Sequence, residues 1–180
     1  MAHIEKTMKS EKIYEGKIVN LRIDTVELPD KKYSKREIVE HPGAVAIIAV
    51  NEKNELIMVK QYRKAVEDEL YEIPAGKIEI GEDPKSCAIR ELKEETGYTP
   101  ENIDYILEFF TSPGFSNEKL YLFMATGLNE GEATPDIDEY IDVVKLKIED
   151  LLTMIEEGKI LDSKTIIAIL LAKKFACEKE

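Results

Sequence analysis

The sequence predicts an α/β protein: a mixed sheet flanked by helices, with a small antiparallel β unit ahead of it. Three observations carry that reading. From Lys12 to Glu40, apolar residues alternate with polar ones (Ile13, Val19, Leu21, Ile23, Val26, Leu28), and Pro29–Lys32 supplies a turn, which predicts two or three antiparallel strands. Ala44 to Val50 is a continuous apolar run, as a strand buried on both faces requires. Between Asp83 and Gly97 lies a helix with both ends marked: Asp83 as N-cap, Pro84 in the first turn and Gly97 as the stop.

The remaining elements follow in order. His41–Pro42–Gly43 marks a boundary, so the chain divides into a leader (residues 1–40) and a main domain (residues 41–180). Asn51–Asn54 turns the chain from the central strand into a second strand over Glu55–Tyr62, and Glu69–Pro74 leads toward the marked helix. Further strands are expected at Ile103–Phe110, Lys119–Thr126 and Ile141–Leu146. A helix over Ile148–Glu157 should end at Gly158. A last helix, capped by Asp162 or Ser163, should run to Phe175 with its Ile166–Leu171 run buried on most sides.

Composition narrows the function. A chain of 180 residues, 43% of them hydrophobic, supports one compact core with at most a small appendage. The net charge of −12 argues against nucleic acid or an anionic membrane as partner, because a polyanion would be repelled over a Debye length. A small anionic substrate would need local help from cations and a few placed arginines. Cys87 and Cys177 follow no metal or disulfide spacing and read as free thiols of a reducing compartment. No run approaches a membrane span and Met1–Lys6 carries no apolar leader, so a cytoplasmic location is expected. His3 and His41 look incidental, and Tyr14 reads as an ordinary strand tyrosine.

The chemistry concentrates at residues 76–98. Gly76 is followed after five residues by Glu82, then after seven by Arg90–Glu91–Leu92–Lys93–Glu94–Glu95–Thr96–Gly97–Tyr98. Glu91, Glu94 and Glu95 stand at i, i+3 and i+4, so their carboxylates share one helical face. Like charges that close repel, and hard divalent cations are the natural remedy, since Mg²⁺ takes oxygen ligands and bridges carboxylates to phosphate. Ala88, Ile89 and Leu92 offer a neighbouring face to a sheet, and Arg90 is placed to hold Glu94. Gly76 and Gly81 permit a tight loop. Glu82 and Arg90 are expected to tie loop to helix.

This pattern resembles the Nudix box, and the resemblance extends over roughly residues 12–174. It implies an α/β/α sandwich and metal-dependent hydrolysis of a nucleoside diphosphate linked to another group. Four features are similar to the ADP-ribose pyrophosphatase branch of that superfamily: Pro113, sixteen residues after Gly97; the run Glu72–Ile73–Pro74–Ala75–Gly76; the strand-rich leader ending in Arg36–Glu37–Ile38; and the acidic loop Asp136–Asp142. In that branch the leader is exchanged within a homodimer.

What the resemblance implies for the site can be stated residue by residue. Glu91, Glu94, Glu95 and the backbone carbonyl of Ala75 would hold two or three Mg²⁺ or Mn²⁺ ions. Glu139, with Asp138 as the alternative, would be the general base. Arg63, Glu72, Ser112, Pro113, Gly114 and Glu118 would contact the substrate, with Arg36 and Glu37 reaching it from the other subunit. Gly76, Glu82, Arg90 and Gly97 would be structural. The expected reaction is cleavage of ADP-ribose to AMP and ribose 5-phosphate; another nucleoside diphosphate sugar such as GDP-mannose, or a non-cleaving ADP-ribose sensor, are the alternatives.

Overall fold

The computed structural model describes residues 3–137 and 139–177; Asp138, the alternative base, and the side chain of Cys177 lie outside the described residues. The elements run β1 (Lys6–Glu15), β2 (Asn20–Glu27), β3 (Tyr33–Glu40), β4 (Ala44–Ala49), β5 (Glu55–Arg63), β6 (Asp68–Glu72), β7 (Ala75–Lys77), α1 (Pro84–Thr96), β8 (Thr99–Phe110), β9 (Lys119–Asn129), β10 (Ile141–Lys147), α2 (Ile148–Glu156) and α3 (Ser163–Cys177). Two compact units emerge: residues 1–43 with 109–119, and residues 44–108 with 120–180.

In the first unit β1, β2 and β3 form an antiparallel sheet in that order. β1 starts six residues before Lys12 and is exposed at every position, so its apolar residues do not make a buried face. Met8, Ile13 and Tyr14 on β1 and Tyr33 on β3 stay in solvent, whereas Asp24 and Val26 of the central β2 are buried. The segment between β8 and β9 joins this unit through backbone bonds. Val39 N donates to Phe115 O (2.8 Å) and Asn117 N to Val39 O (3.2 Å). His41 is a joint here, contrary to its incidental reading. Its backbone N donates to Asn117 Oδ1 (2.8 Å), and its Nδ1 accepts from Gly43 N (3.1 Å) and lies 3.5 Å from Glu118 Oε1.

The second unit holds two sheets. One is four-stranded and mixed, ordered β7-β4-β9-β8; the other is antiparallel, ordered β10-β5-β6. β4 is central as expected, antiparallel to β7 and parallel to β9. Val45, Ile47 and Ala49 of β4 pack in one cluster with Cys87, Ala88 and Leu92 of α1 and with Tyr98, Ile103 and Phe123. Side chains alternate along a strand, so Ala46 and Ile48, equally buried, serve the other face. α3 also packs against β4, and its buried Ala168, Ile169 and Ala172 lie outside the α1 cluster. These placements give the expected α/β layering around a mixed sheet.

Local chemistry explains the ends. Asp83 caps α1 by accepting from Ser86 N (3.1 Å), Pro84 opens the helix, and Gly97 closes it in the left-handed region at φ 79°. Asp162, not Ser163, caps α3: its Oδ2 accepts from Thr165 N (3.0 Å). The segment Glu69–Pro74 resolves into β6, ending at Glu72, and β7, beginning at Ala75; Pro74 has no N–H to continue a ladder. Leu170 departs from expectation, being 53% exposed. A helix lying on a sheet covers one side, and the 100° step from Ile169 carries Leu170 out of it.

Candidate active site

α1 and β7 bring the signature together. Glu95 is 5% exposed, and its Oε2 accepts from Ala75 N at 3.0 Å, which docks the helix on the start of β7. Glu91 lies against Gly76 so closely that a Cβ there would meet its carboxylate carbon at 1.8 Å. Gly76 is therefore required by a side chain of the protein itself. Its role is to let a helical carboxylate rest on the strand backbone, a structural role as expected.

Arg90 is the internal counter-ion of this crowd. Its Nε and Nη2 take both oxygens of Glu82 (2.8 and 2.9 Å), and Nη1 donates to Glu91 (2.8 Å) and Glu94 (2.9 Å). Glu82 also accepts from Glu79 N (3.0 Å), so loop and helix are tied as the spacing predicted. The bidentate guanidinium holds the Glu82 carboxyl down at about 2. Burial beside Glu82 pushes the Cys87 thiol up, which leaves it neutral and inert.

The other carboxylates move the opposite way. Burial raises Glu91 despite Arg90, with the charges of Glu94 and Glu139 adding to the effect. Burial pushes Glu95 up to about 8, opposed by the Ala75 N–H and reinforced by Glu91 and Glu139. Glu139 is thus close enough for its charge to act on both. Its loop is anchored on α1: Thr134 N donates to Glu94 O (2.9 Å), and Glu139 N to Asp136 O (2.9 Å).

The fit to a divalent cation can be judged from this donor set. Glu91, Glu95 and Glu139 present hard oxygens; burial and mutual repulsion penalise ionisation of Glu91 and Glu95, and a cation would relieve that penalty. Among the described residues no three acidic, His or Cys side chains converge into a ready-made cage. Mg²⁺ does not need one, since it keeps several waters and binds through one or two carboxylates plus substrate phosphate. The residues fit.

The expected substrate contacts divide between the units. Arg63, at the end of β5, forms a fork on Glu72, Nε to Oε1 at 2.6 Å and Nη2 to Oε2 at 2.9 Å. Glu72 is 2% exposed and also pairs with Lys164, so burial and these two partners engage both its oxygens. In this geometry its oxygens are engaged by Arg63 and Lys164. Burial would raise Glu72, but Arg63 and Lys164 together hold it below the usual carboxylate range. Lys164, Asp162, Thr165 and Thr134 were not found from sequence. They are ordinary residues distant in the chain, and only the cap signal at Asp162 was legible.

In the first unit, Arg36 pairs with Glu5 (2.9 and 2.6 Å) beside an exposed Glu37. Ser112 O accepts from Phe115 N (3.1 Å) and Ser116 N (2.9 Å), which shapes a turn exposing Pro113 and Gly114. Glu118 accepts from the Thr111 hydroxyl at 2.6 Å.

Comparison with known proteins places the chain. The NUDIX domain model matches residues 40–167, and the model for a nucleoside diphosphate sugar hydrolase N-terminal domain matches residues 5–39. The chain belongs to the Nudix family. Among curated relatives, it is 51% identical to a methanol dehydrogenase activator of Bacillus methanolicus, over 92% of this chain and 90% of that protein. It is 48% identical, over the same shares, to an ADP-ribose pyrophosphatase of Bacillus subtilis. A crystal structure of an ADP compounds hydrolase matches with a TM-score of 0.86 over 97% of this chain and 95% of that one; at 18% identity this likeness supports the fold. Nudix hydrolases generally depend on a divalent metal. No helix among the described residues is long and apolar enough to cross a membrane.

The raised Glu95 sets a pH signature. With no cation bound, stability is fully present below the ordinary carboxylate value of 4.5 and falls as pH rises toward about 8, because only the unfolded state ionises freely in that window. A divalent cation binds the ionised form and offsets the loss. The Tm gain on adding Mg²⁺ to chelator-treated protein is therefore expected to grow between about pH 5 and pH 8. A gain independent of pH would remove Glu95 from the cation site.

Proposed function

We propose that this chain hydrolyses the pyrophosphate of ADP-ribose, releasing AMP and ribose 5-phosphate. The observation carrying this reading is the complete signature site, with Glu91 against Gly76, Glu95 on the Ala75 N–H, and the charge of Glu139 felt by both. The relative named ADP-ribose pyrophosphatase, similar over nearly the whole chain, supports the substrate. So does Pro113, in its exposed turn sixteen residues past Gly97.

Glu91, Glu95, Glu94 and the Ala75 carbonyl would hold two or three Mg²⁺ or Mn²⁺ ions. When bound, these supply charge neutralisation of the pyrophosphate and a lowered pKa for water. Glu139 orients the attacking water and takes its proton. The water oxygen bonds to the phosphorus bearing adenosine, the bond from that phosphorus to the bridging oxygen breaks, and ribose 5-phosphate leaves. Arg63, 40% exposed and electrostatically coupled to Glu95, offers a guanidinium to the phosphates. Arg90 keeps Glu91 and Glu94 in place, and Glu72 positions Arg63.

The substrate is a small molecule, the location cytoplasmic and the assembly a homodimer. In that dimer the leader, residues 1–40, is exchanged, covering the apolar side chains exposed on β1 and β3. Arg36 and Glu37 then face the partner's substrate, and Ser112, Pro113, Gly114 and Glu118 border the ribose.

The test is purified protein with ADP-ribose, ADP-glucose, GDP-mannose, NADH and a nucleoside triphosphate, each with Mg²⁺ or EDTA. Metal-dependent release of AMP, fastest from ADP-ribose, is expected. Faster release of GMP from GDP-mannose would overturn the substrate, and tight binding without cleavage would indicate a sensor. Glu139→Gln should lower kcat by roughly 10²–10⁴ with metal binding retained; an unchanged kcat removes Glu139 as base. Deleting residues 1–40 should yield a monomer in light scattering with a raised KM, and a fully active monomer would refute the exchanged leader.

A further inference from the structure

The Glu72 carboxylate is buried and carries two cations where one would neutralise it. Arg63 forks onto it from β5, and Lys164 reaches it from the first turn of α3. The two cations differ in their surroundings. Lys164 is 13% exposed and also held by Asp162 Oδ2 at 2.9 Å, whereas Arg63 is 40% exposed and its charge is felt by Glu95. One cation is built in; the other sits at the edge of the carboxylate site.

Asp162 and Thr165 extend the built-in side. Asp162 Oδ2 accepts from the Thr165 hydroxyl (2.6 Å), and that hydroxyl accepts from Ile73 N (2.9 Å). The start of α3 therefore grips both the carboxylate and the backbone of Glu72–Ile73, two residues before Ala75. A buried carboxylate stripped of its only partner is strongly destabilising. Arg63 could not leave Glu72 for a phosphate if it were alone there.

We infer that Lys164 is a positioning residue for the reaction: by neutralising Glu72 from the α3 side, it frees Arg63 to bind the substrate's pyrophosphate. This rests on the reading of Arg63 given under Proposed function. Without Lys164, Glu72 competes with the substrate for the guanidinium. With it, the fork can turn to phosphate while the buried carboxylate stays paired.

The inference separates from a plain stabilising role by where the damage appears. Lys164→Met should raise KM for ADP-ribose by about tenfold, the worth of one charge-assisted hydrogen bond, with kcat changing far less. Lys164→Arg should restore KM. Adding Glu72→Gln to Lys164→Met should also restore it, because a neutral amide does not hold Arg63. Weakened binding of ADP with Mg²⁺ in calorimetry should show the same order, and it reads the pyrophosphate site even if ADP-ribose is not the substrate. No turnover of ADP-ribose by the unaltered protein refutes the substrate reading, and the ADP series then decides Lys164 alone. If Lys164→Met does not fold, Lys164→Gln is read in its place. A lowered Tm with unchanged KM and unchanged ADP affinity overturns the inference, as does a double variant as impaired as Lys164→Met.

Discussion

The site depends on one electrostatic constraint: carboxylates are crowded on one helical face in a structure that supplies too few cations to neutralise them. Arg90 meets part of the demand, binding Glu82, Glu91 and Glu94 with a single guanidinium. Its fork is committed to Glu82, which needs no further partner. Glu95 makes no bond to Arg90; it is buried, with the Ala75 N–H as its hydrogen-bond donor and Arg63 as the charge that favours its ionised form. The imbalance runs from the Glu82 carboxyl of the loop, held near 2, to the Glu95 carboxyl of α1, pushed up to about 8.

Glycine packing makes this arrangement possible. Glu91 occupies the space where Gly76 would carry a side chain, so helix and strand approach until carboxylate meets backbone. At the other end, a Cβ on Gly97 would meet Gly131 O at 2.5 Å, and Thr134 N bonds Glu94 O just beyond. The helix stop thus doubles as the anchor for the loop that carries Glu139. A cap chosen for its left-handed backbone also permits the close approach of a distant segment.

These details explain which parts were legible beforehand. The signature glutamates, their cap, their stop and the Arg90 tie are local, and local spacing on a helix determines who meets whom. The central strand was legible because a run buried on both faces has no polar positions. The exposure of the leader's first strand was not legible, because alternation predicts a strand and one face, not what covers that face. The Leu170 expectation failed similarly: hydrophobicity of a whole run does not say which side a single neighbour covers. Lys164, Thr165 and Thr134 left no mark in the sequence, since each acts across long chain separations with a residue type that is common on surfaces. His41 was misread for the same reason, its partners Asn117 and Glu118 standing more than seventy residues away.

In the proposed function the signature binds what every nucleoside diphosphate derivative shares, the pyrophosphate and its cations, so discrimination among derivatives would come from residues outside it. On that reading the residues that would do so lie in the first unit, where two separate stretches are joined. The strand bearing Arg36 and Glu37 continues to Val39, which exchanges backbone bonds with Phe115 and Asn117. His41 adds Asn117 and Glu118 to the same joint. The Pro113 turn and the Arg36 strand are therefore one body. A substitution in either stretch would be expected to disturb the other through Val39 and His41, without touching the carboxylates of α1. Under the proposed function, substrate choice would rest on the first unit and bond cleavage on the carboxylates of α1, so the two would be separable by mutation.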